Sequence, residues 1–340
     1  MSLVKRHKAN TGEPQSLVRT QPIGNANGNT LYNEAVVLEG HSGVVLSGKF
    51  NKSGTSIASS GTDKLILLWN IPTSESDDSQ NYGVLRGHKS AVTSLDWSAD
   101  GEVLVSSSAD NTVGFWDAET GKRLRKCSEH KLVVNQVAMS SQTLSASVGD
   151  DGSAFLWDPR DKNSVGCVST EYPLLTTTFD KIGNTLYLAG IDPTIRVHDI
   201  RKLGSQLWNC QGQVEAITSL SLNSDDSVLL ARSMDGVMKT YSAKEFVPEG
   251  ISRISPFTYE GAPSGDEYQL IRATFSDNDI TIFSGSEDST VTEWDFSTRK
   301  ITNKYGGHRG TVIDVDYSAN GRLLLSTSTD GSIVVRELHQ

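Results

Sequence analysis

The chain has 340 residues, 36% of them hydrophobic, and a formal charge of −10; it holds no apolar run near the roughly 20 residues that cross a bilayer and no N-terminal apolar stretch of signal-peptide length. Cys127, Cys167 and Cys210 stand far apart with no C-x-x-C pair, which fits neither a disulfide framework nor a zinc cage and reads as reduced thiols in a soluble, intracellular protein. Lys5, Arg6, Lys8 and Arg19 against Glu13 give the first 30 residues +3 and leave −13 for the rest, so phosphate is repelled by the body as a whole, with a local basic patch left open.

Residues 1–30 mix Asn, Gly, Gln, Pro and Thr with few large apolar side chains. That is too little burial to offset the entropy of ordering, and a disordered tail is expected there. Its run Lys5-Arg6-His7-Lys8 fits a nuclear-import signal or plain solubilising charge. From residue 31 to 340 the chain repeats. The anchor is Trp-Asp or a remnant of it, at Trp69, Trp116, Trp157, His198, Tyr241, Trp294 and Arg336, with spacings of 47, 41, 41, 43, 53 and 42 residues. These bracket the period of about 40–45 residues expected of a four-stranded propeller blade. Six positions before each anchor stands an aspartate: Asp63, Asp110, Asp151, Asp192, Asp235, Asp288 and Asp330. Gly-His or its remnant lies upstream, at Gly40-His41, Gly87-His88, Glu129-His130, Gly212-Gln213 and Gly307-His308.

Between these marks the apolar period is two, as in Val103-Leu104-Val105-Ser106, and Gly and Asp punctuate the turns. The pattern predicts an all-β fold, a seven-bladed β-propeller in which single four-stranded sheets bury their faces against one another around an axis. The seventh repeat stops three strands after its Gly-His, so residues 31–38, with Ala35, Val36, Val37 and Leu38, are expected to close the ring as its outer strand. Two connections exceed the repeat, at residues 73–80 and 244–267. The second mixes Phe246, Ile251, Ile254, Phe257 and Tyr259 with three prolines, and reads equally as a partner-contacting arm or as an outer strand behind a long surface loop.

Histidine, serine and aspartate invite a triad reading. Yet His41, Ser59, Asp63 and Trp69 recur as His88, Ser106, Asp110 and Trp116, and again as His130, Ser147, Asp151 and Trp157. A catalyst does not need one triad three times. The structural alternative is a tetrad in which the loop histidine donates to aspartate and serine while the indole N–H donates to that serine. Joint loss of members supports it: the fourth repeat has Thr170, Leu188 and His198, the fifth Gln213, Ala231 and Tyr241. No phosphate-binding loop, dinucleotide fingerprint, H-E-x-x-H or EF-hand loop is found. Catalytic, cofactor-binding and metal residues are therefore expected to be absent, as is a small-molecule substrate.

The Gly-His and Trp-Asp marks identify residues 31–340 as a member of the WD-repeat class. Within it, "DKLILLWN" at 63–70, "NYGVLRGHKSAV" at 81–92, "GIDPTIRVHDIRK" at 190–202 and "EYQLIRATFS" at 267–276 resemble the WD-repeat subunit of the U5 small nuclear ribonucleoprotein. The resemblance implies a nuclear, non-enzymatic spliceosomal scaffold that contacts the large U5 scaffold protein and other spliceosomal proteins, meets RNA mostly indirectly and has no membrane role. His198, Tyr241 and Arg336 depart from the anchor tryptophan, and the 248–267 stretch is idiosyncratic. A ubiquitin-ligase substrate receptor or a G-protein β-like scaffold would share the fold, but the latter carries an N-terminal coiled coil and residues 1–30 show no heptads. The residues just after each Gly-His should face the channel mouth: Val44, Leu46, Ala91, Thr93, Val133, Asn135, Ala216, Thr218, Thr311 and Ile313. Small, apolar and uncharged, this rim is expected to receive a protein segment rather than a phosphate backbone.

Overall fold

A computed structural model describes residues 20–22, 31, 34–71, 81–264, 269–318 and 322–338, and among them the only helix is a 3-10 turn at Ile200–Lys202. Alternating apolar residues drive the rest into short antiparallel strands. The first repeat supplies Val45–Phe50, Ser56–Gly61, Leu65–Asn70 and Asn81–Arg86, side by side in chain order. The same meander recurs in sheets that begin at Val92, Val134, Leu174, Ile217 and Ala273. The first strand of each sheet packs against the first strands of both neighbours, so seven inner strands ring an axis.

The ring closes as the pattern expects. Val312–Tyr317, Leu323–Ser328 and Ser332–Glu337 form the inner three strands of the last sheet, and Ala35–Glu39 adds the fourth, with Val36 opposite Val335. Val36 and Leu38 share one core cluster with Leu325 and Ile333 of the last blade and with Val45, Ile57 and Trp69 of the first. The seam between chain ends is thus apolar core, and the first and last repeats are held by burial as well as by the strand ladder. Most of residues 1–30 lie outside the described residues. Thr20–Pro22 differ from the expected disorder: their backbone pairs with Val36–Leu38 as a fifth strand, because the outer edge of that sheet offers unpaired N–H and C=O groups.

In six of the seven inner strands the register shifts by a bulge near the start, between Val45 and Ser47 and at the matching places in the other blades. A bulge re-aims the side chains that follow it. Ser47, Ser94, Gln136, Thr176, Ser219 and Asp314 come to stand at one level of the ring, with Arg272 in the corresponding place of the sixth blade. The long connection after the fifth anchor proves to be an outer strand behind a surface loop: Ile254–Tyr259 pairs with Met238–Ser242. Arg253 fastens the loop by stacking its guanidinium 3.9 Å from the Trp208 ring and donating to the Ser242 carbonyl at 2.7 Å.

Candidate functional site

The three full tetrads assemble as one geometry repeated. Trp69, Trp116 and Trp157 each donate Nε1–H to the serine Oγ ten residues before them, at 2.8 Å in every case. His41, His88 and His130 place Nε2 2.8, 2.7 and 2.7 Å from the same oxygens. Their Nδ1 atoms lie 2.8, 3.3 and 3.1 Å from Asp63, Asp110 and Asp151. A carboxylate only accepts, so Nδ1 carries the proton, and neutral Nε2 then accepts from the serine hydroxyl. The expectation that histidine donates to serine is corrected: the chain of donors runs Trp to Ser to His to Asp, and one tautomer satisfies every member.

The electrostatics agree with that direction. Burial lowers the basicity of His88 and His130 and outweighs the pull of Asp110 and Asp151. Burial raises the Asp110 carboxyl, but the Lys89 backbone N–H, Thr112 and His88 together hold it below the usual range. Each aspartate also caps its own turn, as Asp63 does for Leu65 N–H and Asp151 for Ser153 N–H. Ser59, Ser106 and Ser147 are fully buried, with both hydroxyl functions engaged, so none is placed to attack a substrate.

Where a member is missing the neighbours rearrange. In the fourth blade His198 Nδ1 lies 3.2 Å from the Leu203 carbonyl. In the fifth, Gln213 donates to the Ala231 carbonyl at 3.0 Å and the Tyr241 ring fills the anchor's place. The sixth lacks the histidine, so Trp294 donates to the Glu260 carbonyl at 3.1 Å and Ser284 accepts instead from Arg232 Nε at 2.9 Å. Arg232 is wholly buried between the fifth and sixth blades and also donates to Ser264 Oγ and the Ala262 carbonyl. Burial brings its pKa down to about 10, which still leaves the guanidinium charged at neutral pH. In the seventh, Arg336 stacks over Tyr305 at 5.1 Å where an indole stands elsewhere.

The sequence reading missed an ion pair on the axis. Arg272 NH1 lies 3.2 Å from Asp314 Oδ2, 3.3 Å from Ser47 Oγ and 3.2 Å from Ser94 Oγ, tying the sixth blade to the seventh, first and second. Asp314 also accepts from Ser47 Oγ at 2.8 Å and Gly48 N–H at 3.2 Å. A second belt lies one step along the strands, where Asp316 accepts from Phe50 N–H at 2.8 Å and Asp96 from Met139 N–H at 2.6 Å. Burial pushes the Asp96 carboxyl up to about 6. Beyond that belt, on the face away from the histidine loops, a cup of about 450 Å³ is lined by Lys49, Asp96, Lys181, Asp226, Asp277 and Asp316. The signal was present as the matched Leu-Asp-Trp at 95–97 and Val-Asp-Tyr at 315–317.

The expected rim divides. Val44, Leu46, Ala91, Thr93, Val133 and Ala216 are partly exposed. Asn135, Thr218, Thr311 and Ile313 are buried, Ile313 to 3% exposure, which corrects their assignment as partner contacts. The inner strands run close enough that polar side chains bond the next blade. Asn135 donates to the Leu174 carbonyl at 2.8 Å and Thr218 to the Ile271 carbonyl at 2.8 Å. The half-exposed Thr93 does the same to the Val134 carbonyl at 2.6 Å.

Fold and tetrads together define a WD-repeat β-propeller, and the family model described as "WD domain, G-beta repeat" matches residues 33–70, 79–117 and 299–336. The bovine (Bos taurus) U5 small nuclear ribonucleoprotein 40 kDa protein is 36% identical over 306 residues, covering 89% of this chain and 83% of that one. The human (Homo sapiens) protein of the same name is 35% identical with the same coverage. Pre-mRNA-splicing factor cwf17 of Schizosaccharomyces pombe is 35% identical over 302 residues, 88% of this chain and 86% of that protein. The chain belongs to the family of the U5 small nuclear ribonucleoprotein 40 kDa protein.

Proposed function

We propose that this propeller is a non-enzymatic scaffold subunit of the U5 small nuclear ribonucleoprotein and acts in pre-mRNA splicing, in the nucleus, through protein–protein contacts. The observation that carries the reading is identity of about a third extending over 89% of the chain to proteins named for U5 and for splicing. Its chief partner is the large U5 scaffold protein. A formal charge of −10 supports contact with RNA through partners rather than directly, since affinity for nucleic acid comes mainly from Lys and Arg on phosphate. Burial of the three tetrad serines, with their hydroxyls engaged, supports a structural role for the histidine sets.

Purification of the tagged full-length protein from nuclear extract, with sequencing of the retained RNA and identification of the retained proteins, tests this. U5 RNA and the large U5 scaffold protein are expected together, and digestion of the RNA should leave the protein pair intact. Ubiquitin-ligase subunits without any small nuclear RNA would overturn the reading.

A further inference from the structure

On the face that carries the histidine loops, the large apolar side chains exposed among the described residues gather in one sector. Leu132, Tyr172, Ile191 and Val214 show 52%, 51%, 50% and 79% of their surfaces. They stand at the tips of the third, fourth and fifth blades. The equivalent loop positions of the first, second and seventh blades hold Ser42-Gly43, Lys89-Ser90 and Arg309-Gly310. Single exposed apolar residues are ordinary, but a group confined to one sector marks a contact surface.

These tips are continuous. The Val133 carbonyl next to Leu132 accepts from Asp150 N–H at 2.9 Å, and Gly152 of that turn accepts from Thr170 N–H at 2.8 Å. Thr170 Oγ1 then donates to the Tyr172 carbonyl at 2.8 Å, and Pro173 accepts from Ile191 N–H at 3.1 Å. These bonds, all backbone but the one from the Thr170 hydroxyl, therefore hold Leu132, Tyr172 and Ile191 on one arc. Val214 follows Gln211, whose strand partner is Thr194 of the same blade. Charge beside the arc is mostly acidic, with Lys131 the exposed base next to Leu132. Glu171, Glu215 and Asp235 are exposed, and neither Glu171 nor Glu215 forms a salt bridge among the described residues. Two further bases nearby are engaged: Arg196 pairs with Asp192, and Lys239 donates to the Gly212 carbonyl at 2.7 Å.

We propose that the tips of the third to fifth blades dock an extended protein segment whose apolar side chains are flanked by Lys or Arg. Apolar surface with an aromatic at its middle supplies the affinity, and the unpaired carboxylates select basic flanks and repel nucleic acid. The proposal rests on the reading of the propeller as a docking subunit and narrows that reading to one sector. It also moves the contact outward from the rim, whose inner positions are occupied in holding the blades together.

Two measurements on the full-length protein test it. A photo-crosslinking amino acid placed at Tyr172, with Ile280 on the opposite face as control, is activated in nuclear extract and the joined peptide is sequenced. A protein segment with apolar residues between Lys or Arg is expected from position 172 and not from 280. A crosslink to RNA, to an acidic segment, or to the same products from both positions overturns the proposal. The second compares wild type with Leu132→Asp/Tyr172→Asp/Val214→Asp, and with Glu171→Lys/Glu215→Lys, for retention of U5 RNA. Each multiple variant should retain about tenfold less at unchanged melting temperature. If wild type and both variants retain U5 RNA equally, the sector is wrong while the U5 reading stands. If wild type retains no U5 RNA yet position 172 joins a basic segment of another assembly, the U5 reading fails and the docking surface stands.

Discussion

Removing the carboxylate of Asp314 should weaken the ring more than removing the carboxylate of a histidine tetrad. Asp314 is fully buried. Asp314→Ala strips Arg272 of its counter-charge at 3.2 Å, takes the acceptor from Ser47 Oγ and Gly48 N–H, and leaves Lys49 one carboxylate fewer. Breaking one side of a buried ion pair costs about 3–5 kcal/mol, because the remaining charge stays out of water without compensation. The loss would be felt at the junction of four blades, since Arg272 also reaches Ser94. Urea unfolding followed by tryptophan fluorescence reads the midpoint, and an unchanged slope keeps the comparison valid. Arg272→Met/Asp314→Leu, which removes both charges, should recover a large part of the loss, as coupled neighbours do in a double-mutant cycle. A single-variant cost below about 1 kcal/mol, or a double variant as weak as the two losses added, would refute the axial pair as a staple.

Deleting residues 1–28 takes away, among the described residues, only the three-residue edge strand Thr20–Pro22 and should lower the melting temperature little, whereas deleting 1–38 removes Val36 and Leu38 from the seam core and strips Ser332–Glu337 of its partner strand; equal melting of the two would contradict closure by this strand. Asp110→Ala should cost about 1–3 kcal/mol by leaving His88 Nδ1 and Lys89 N–H unpaired, and hydrolytic activity that disappears with this change would contradict the structural role. His88 and His130 have basicity lowered in the fold, so the unfolded chain takes up the proton first. Their contribution is present above the unfolded pKa of about 6.5 and lost as pH falls below it. Asp96, raised to about 6, acts oppositely: the stability it contributes at low pH is lost as pH rises through 6. His88→Gln should therefore lose less stability than wild type between about pH 7 and pH 5.5, and parallel pH profiles would refute this.

The repeat made the architecture legible because each blade needs its own turn aspartate and its own anchor, so the marks recur even where Tyr241 or Arg336 has replaced tryptophan. The tetrads were legible for the same reason, down to which members vanish together in the fourth and fifth blades. The direction of the Ser–His bond was not, because it depends on which nitrogen carries the proton once aspartate has claimed the other. Arg272 and Asp314 carry no local signature. They lie 42 residues apart in different blades and meet only because the ring closes, and Arg232 likewise reaches Ser284 across a blade boundary. The rim reading failed at Asn135, Thr218, Thr311 and Ile313 because alternation along a strand tells which side a residue faces. It does not tell how near the next inner strand stands.

Depletion of the protein from nuclear extract, followed by add-back, tests the central claim most directly. The account predicts that depleted extract loses conversion of a pre-mRNA to spliced product, that recombinant wild-type propeller restores it, and that Leu132→Asp/Tyr172→Asp/Val214→Asp, though folded, does not. Undiminished splicing in extract from which the protein has been removed would contradict the assignment to the spliceosome.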